Sequence, residues 1–286
     1  MAAIYKSDAG RRAVEQQYAN ALQRWPVPHR QLRIPTREGE TFVIVSGEQN
    51  TTPVVLFHGS GTNASAWMHD VGEWAQRFRV YAVDTIGEPG FTAPSRPPFG
   101  SGAYVDWLDD VWDRLGFQSA SIVGISLGGW LGLEYAVKRP PRVASLSLIS
   151  PSGVGAQKLG TLVAAGLLMK LGRWGLRKAL ALVTGRTTLP PELEDSLIVR
   201  FRHFRPRMDA LPIRTDQELA RLTMPVQLMV GGKDILLRSS ETRDRMVRCV
   251  PNVRVAYLED AGHILPRQTA AIAGFLNDVS RVRIAV

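Results

Sequence analysis

Apolar residues follow two rhythms that alternate along most of this chain. Short continuous runs, such as Val54-Val55-Leu56-Phe57 and Val80-Tyr81-Ala82-Val83, suit strands buried on both faces of a parallel sheet. Stretches with apolar residues three and four apart suit amphipathic helices. Tyr104, Leu108, Val111, Trp112 and Leu115 mark one of these, with Asp106, Asp109, Asp110 and Asp113 mainly on its other side. In chain order the pattern predicts an N-terminal helix within 8–24 and strands at 31–35 and 40–45 around a turn at Arg37-Glu38-Gly39. A strand at 54–57, a helix from 71, a strand at 79–84 and a helix at 104–115 come next. They are followed by a strand at 119–124, a helix at 127–138 stopped by Pro140-Pro141, and a strand at 142–149. The rhythm resumes late, with a strand at 226–230, a helix at 239–250, a strand at 253–258 and a closing helix at 266–279. Alternation of this kind requires crossover connections. It predicts an α/β fold, a mostly parallel eight-stranded sheet with helices on both faces.

The rhythm breaks between 153 and 212, where no strand is predicted. Leu162, Leu167, Leu168, Leu171, Trp174, Leu176, Leu180 and Val183 make this stretch more apolar than a free surface helix requires. It reads as an inserted helical cap over the strand ends, separating a first core segment, 1–152, from a second, 213–286. Charge concentrates here too. Residues 158–207 hold ten Lys and Arg, Arg186 among them, against Glu192, Glu194 and Asp195, a net +7 out of the chain's +9. Such a segment is either a solvated basic surface or an attractor for anionic substrates or membrane surfaces. No nucleic-acid-binding motif accompanies it, so nucleic acid is not an expected partner. The single cysteine, Cys249, excludes an internal disulfide framework and a multi-cysteine metal site. The N-terminus lacks the apolar core of a signal peptide, and the longest apolar stretch, 159–169, is about half a membrane span. A soluble cytoplasmic protein without stable membrane insertion is expected, its oligomeric state open and a homodimer admitted.

The candidate chemistry lies at predicted strand ends. One apolar run ends in Gly124-Ile125-Ser126-Leu127-Gly128-Gly129, a G-x-S-x-G turn with a helical pattern directly after it. A serine hydroxyl needs a base to take its proton, and that base needs an acceptor to fix its tautomer. His263, after Gly262, and Asp234, after Gly232-Lys233, each follow a predicted parallel strand, so all three residues fall at one sheet edge. Asp84 also ends a strand and is the alternative acid, ahead of Glu88 and Asp260. The loop His58-Gly59-Ser60-Gly61 follows another strand. The Ser60 N–H and the Leu127 N–H, at a helix start, are the candidate oxyanion donors. Gly59 and Gly61 let the loop fold tightly, His58 is expected to support it by hydrogen bonding, and Trp130 and Trp67 either line the pocket or fill the core.

These pieces, together with Val83-Asp84, Gly87 and Gly90, resemble the α/β-hydrolase superfamily over about residues 30 to 280. Within it the chain is most similar to capped bacterial serine carboxylesterases. The resemblance implies hydrolysis of a small or medium carboxylic ester through an acyl-serine intermediate, with no metal or organic cofactor and a small-molecule ester as partner. Ser126 distinguishes the chain from relatives that use an aspartate there, and His-Gly-Ser-Gly from large lipases with a His-Gly-Gly-Gly run. Carbon–carbon bond hydrolysis and cofactor-free perhydrolysis are compatible with the same three residues. A non-catalytic ligand-binding protein of the same fold is the reading from a different class.

Overall fold

The structure is a computed structural model and describes residues 4–184 and 191–284. Eight strands form one sheet in the order β1-β2-β4-β3-β5-β6-β7-β8. They are β1 (His29–Thr36), β2 (Gly39–Ser46), β3 (Pro53–Phe57), β4 (Arg79–Val83), β5 (Ala120–Ile125), β6 (Val143–Ile149), β7 (Val226–Gly231) and β8 (Val253–Leu258). β2 pairs antiparallel with both β1 and β4, and every other pair is parallel, so β2 alone runs against the rest. The β1–β2 hairpin turns at Gly39, whose φ of 101° suits glycine.

The central strands read as continuous apolar runs because both of their faces are covered. Val55 and Phe57 of β3 point into one core with Trp107, Leu108, Val111 and Trp112 of α3 (Ala103–Leu115) and Leu131 and Tyr135 of α4 (Leu127–Lys138). Val54 and Leu56 point the other way. There they meet Tyr18 and Leu22 of α1 (Asp8–Leu22), Trp74 of α2 (Val71–Trp74) and Ile272 and Leu276 of α10 (Thr269–Ile284). Of the remaining core helices, α9 (Ser239–Cys249) packs Met246 on the first face.

Between β6 and β7 lie α5 (Leu159–Met169), α6 (Gly172–Thr184) and α7 (Pro191–His203). Their own small core joins Leu176, Leu180, Leu197 and Ile198, with Phe201 against it. The segment leaves and rejoins the sheet at one place, where the Arg214 N–H donates to the Gly153 carbonyl at 2.8 Å. A buried ion pair between Arg214 and Glu134 of α4 holds the return. The N-terminus clasps the far end of the segment, through Lys6 N–H to His203 carbonyl and Arg205 N–H to Ile4 carbonyl, both 2.8 Å. Arg186, counted above in the basic segment, lies outside the described residues, as do the side chains of Leu162, Val183 and Glu192.

Several boundaries differ from the sequence expectation. The first helix stops at Leu22 rather than 24, since the N–H groups of Arg24 and Trp25 turn back to Ala21 and Leu22. The closing helix begins at Thr269 rather than 266 and runs to Ile284. One short helix was not predicted, α8 (Asp216–Leu219). Its signature was present in Thr215-Asp216-Gln217-Glu218, a capping box in which Thr215 and Glu218 satisfy each other's N–H groups. Among the described residues no helix is long and apolar enough to cross a membrane.

Candidate active site

Ser126 sits between the last residue of β5 and the first of α4, with φ 52° and ψ −108°. Such a backbone is strained for a residue with a Cβ. Its surroundings hold it in place: the Ser126 N–H donates to Ile149 carbonyl, and the Ser126 carbonyl accepts from Trp130 N–H, both at 2.9 Å. The flanking glycines are required by close approach. A Cβ on Gly124 would stand 2.4 Å from the Gly128 carbonyl oxygen, and one on Gly128 would stand 2.1 Å from the Phe57 carbonyl oxygen. The start of α4 is therefore pressed against the end of β3, from which the His58-Gly59-Ser60-Gly61 loop departs.

β7 and β8 bring two more residues to the same edge. His263 Nε2 lies 3.1 Å from Ser126 Oγ, and His263 Nδ1 lies 2.8 Å from Asp234 Oδ2. Both His263 and Asp234 are buried. The other carboxylate oxygen, Oδ1, accepts the N–H groups of Leu236 at 2.7 Å and Leu237 at 3.0 Å. Burial alone would raise the Asp234 carboxyl. The His263 ring and these two N–H groups outweigh it and hold the carboxyl below its ordinary value. An ionised Asp234 accepting from Nδ1 leaves Nε2 as the acceptor facing the serine hydroxyl.

The loop after β3 has its own supports. His58 is fully buried, and burial pushes its pKa down to about 4, so the ring is neutral. Its Nε2 accepts from the Thr85 N–H at 3.0 Å, which puts the proton on Nδ1, 2.9 Å from the Gly59 carbonyl. The ring thus ties the β3 loop to the β4 loop. Glu88 does the same from the β4 side, accepting the Gly61 N–H at 2.5 Å. Burial pushes its carboxyl up to about 7, although the Gly61 N–H and the charges of Arg96 and Arg207 act in the opposite direction. Between these anchors Gly59 lies alongside the serine, where a Cβ would come within 3.9 Å of the Ser126 Cβ. Ser60 is exposed and Leu127 is buried. Among the described residues neither of their N–H groups donates to a protein acceptor.

The structure shows what the other candidates do. Asp84 is not paired with His263. It accepts from Ala64 N–H and Phe91 N–H, both at 2.8 Å, and from the Tyr18 hydroxyl at 3.0 Å, so it organises its own loop. Asp260 is exposed and paired with Lys233 at 2.7 Å. Trp130 is buried in the core. Its ring packs edge-on to Phe99 and Tyr104, and its indole N–H reaches the Pro212 carbonyl at 3.2 Å. Trp67 is buried against Trp74.

Three contributions had no signal in the sequence. Ser150, at φ 42°, donates its hydroxyl to the His263 carbonyl at 2.9 Å. Lys158 donates to the Asp234 carbonyl at 2.6 Å, and the Leu236 and Leu237 N–H groups fix the Asp234 carboxylate. The Ser150 and Lys158 contacts join residues far apart in sequence. Among the described residues no group of three or more His, Cys, Asp or Glu side chains is placed to hold a metal ion.

Comparison with known proteins agrees with this architecture. A sequence profile described as the alpha/beta hydrolase family matches residues 54–275. The uncharacterized carboxylesterase nap of Bacillus subtilis is 28% identical over 265 residues, covering 87% of this chain and 86% of that protein. The crystal structure of carboxylesterase CesB (YbfK) from Bacillus subtilis superposes with a TM-score of 0.84 at 27% identity, over 96% of this chain and 98% of that one. Naproxen esterase from the same organism superposes with a TM-score of 0.82 at 28% identity, with the same coverage of 96% and 98%.

Proposed function

The chain belongs to the alpha/beta hydrolase family, and on that premise we propose that it is a serine hydrolase cleaving small or medium carboxylic esters. The observation that carries this reading is the unbroken relay from Ser126 Oγ to His263 Nε2 at 3.1 Å and from His263 Nδ1 to Asp234 at 2.8 Å. The likeness to proteins named carboxylesterases supports an ester as the bond cleaved.

In this mechanism Ser126 Oγ attacks the ester carbonyl carbon as His263 Nε2 takes the hydroxyl proton. Asp234 stabilises the imidazolium that forms. The carbonyl oxygen becomes an oxyanion and accepts from the Ser60 and Leu127 N–H groups. Collapse of the tetrahedral intermediate breaks the carbon–oxygen bond, and His263 returns the proton to the leaving alcohol. Water then gives its proton to His263 and attacks acyl-Ser126. In a second collapse the bond from the acyl carbon to Ser126 Oγ breaks, His263 returns the proton to Oγ, and the carboxylic acid leaves. Residues 153–212 serve as a cap in this reading. Phe201 of α7, whose ring would stand 2.7 Å from a Gly61 Cβ, and the Lys158 contact to Asp234 both support that role.

Two measurements test the proposal together. A fluorophosphonate is expected to label the protein stoichiometrically, and the Ser126→Ala variant not at all. On p-nitrophenyl esters, Asp234→Asn is expected to lower kcat by about 10⁴-fold through the wrong His263 tautomer. Labelling that survives Ser126→Ala would overturn the assignment of the nucleophile. Ring-fission diketones turned over faster than every ester tried would replace the ester with a carbon–carbon bond.

A further inference from the structure

Helices α5 and α6 and the turn between them hold apolar side chains out into solvent. Val163, Leu167, Leu171 and Trp174 are 58% to 61% exposed, and Met208, beyond α7, is 61% exposed. The other large exposed apolar residues among those described, Ile213, Val247 and Ile264, are scattered elsewhere. Single exposed leucines are ordinary, but a cluster of this size marks a contact surface. Between α5, α6 and α7 it dips into an open groove of about 1030 Å³, with Val163, Leu167, Leu176, Ile198, Phe201 and Met208 on its walls. The rim is basic: Lys6, Lys170, Arg173, Arg202 and Arg205 stand around it against one carboxylate, Asp195, which Arg173 already engages at 3.2 Å.

We propose that this face docks onto an anionic lipid bilayer. Its two properties decide among occupants. A second copy of the chain in a two-fold contact would bring the same cations against each other. Nucleic acid would use the charges and leave Leu167, Leu171 and Trp174 in water. A bilayer surface bearing anionic headgroups satisfies both features. Lys170, Arg202 and Arg205 meet phosphate, while Trp174 and the leucines enter the boundary between headgroups and acyl chains. The proposal does not depend on the serine-hydrolase reading, because binding to vesicles requires no turnover.

Trp174 supplies the reporter. The other six of the seven tryptophans are buried, so a fluorescence change on docking comes from Trp174. Phosphatidylglycerol vesicles are expected to co-sediment the full-length protein and shift its emission to the blue. Partition should be at least about tenfold stronger than onto phosphatidylcholine vesicles and should weaken as salt is raised. Leu167→Glu/Trp174→Glu should lower partition at least about tenfold while leaving fluorophosphonate labelling and the melting temperature unchanged. Trp174→Phe should keep most of the binding and lose the blue shift. If the double variant does not fold, Trp174→Phe and the salt series still decide. Equal partition onto neutral and anionic vesicles would overturn the proposal, as would anionic binding indifferent to Leu167→Glu/Trp174→Glu. A dimer in sedimentation velocity that the double variant dissociates, without vesicle binding by the parent, would assign the face to a second copy instead.

Discussion

Glu88 and His58 brace one loop from opposite sides, and burial shifts both groups toward their neutral forms. The Glu88 carboxyl titrates at about 7 in the folded protein against an ordinary 4.5. Between those values the folded state keeps a proton that the unfolded chain has released, so stability falls as pH rises through this window. The loss is on the order of 3 kcal/mol and is complete above the folded value. His58 works in the other direction. Its folded value of about 4 lies below an ordinary 6.5, so the unfolded chain gains protons first and stability falls as pH drops from 6.5 toward 4. Glu88→Gln keeps an acceptor for the Gly61 N–H and removes the titration. The two effects oppose each other in the parent, so denaturant midpoints of this variant should rise clearly from about pH 5 to about pH 8 while the parent's change much less. An unchanged difference between the two pH values would show that Glu88 is not the group responsible. None of this was legible from residue types. Sequence reasoning put Asp234 ahead of Asp84 and Glu88 as the acid, and only the folded loops show what the latter two do instead, which is to accept backbone N–H groups.

At the scale of elements, the turn from β5 into α4 was the most legible feature, because steric need writes itself into composition. Gly124 and Gly128 flank Ser126 since backbone occupies the space a Cβ would need. Gly128→Ala would force its methyl carbon to within 2.1 Å of the Phe57 carbonyl oxygen unless β3 or α4 moves. A destabilisation of about 3 kcal/mol or more is expected, read as a fall in melting temperature, with fluorophosphonate labelling slowed because the serine is displaced. A neutral substitution would mean that the two backbones are not in contact. Strands and long helices were equally readable, since a buried strand and a half-buried helix impose different apolar periods. Element ends were less so. The final helix starts three residues later than its apolar pattern suggests, and the four-residue α8 carries too few residues for a period, although its capping box was in plain view.

The whole molecule divides its stability unevenly. Two large cores sandwich the sheet, while α5–α7 share a small one of Leu176, Leu180, Leu197 and Ile198. Those helices meet water along much of their length. Their backbone amides should exchange hydrogen at least about tenfold faster than those of β3, β5 and β6 under native conditions, as followed by mass spectrometry. Equal protection would mean that the segment and the sheet open as one unit. The same segment carries the docking face, and an exposed apolar surface on helices with little core of their own is what an interfacial element requires.

The order of strands and helices, the parallel character of the sheet, the break after β6 and the tight turn at Ser126 were determined by the chain itself. Each is a local requirement of burial period or steric clearance, visible within a few neighbouring residues. The strand order was decided only in three dimensions, as were the retirement of Asp84 from the candidate relay, the burial of Trp130 against the Pro212 segment and the Lys158 and Ser150 contacts. Each of these depends on which loops the crossovers bring together across long sequence separations. A residue's type says what bond it can make, and the fold alone says with whom.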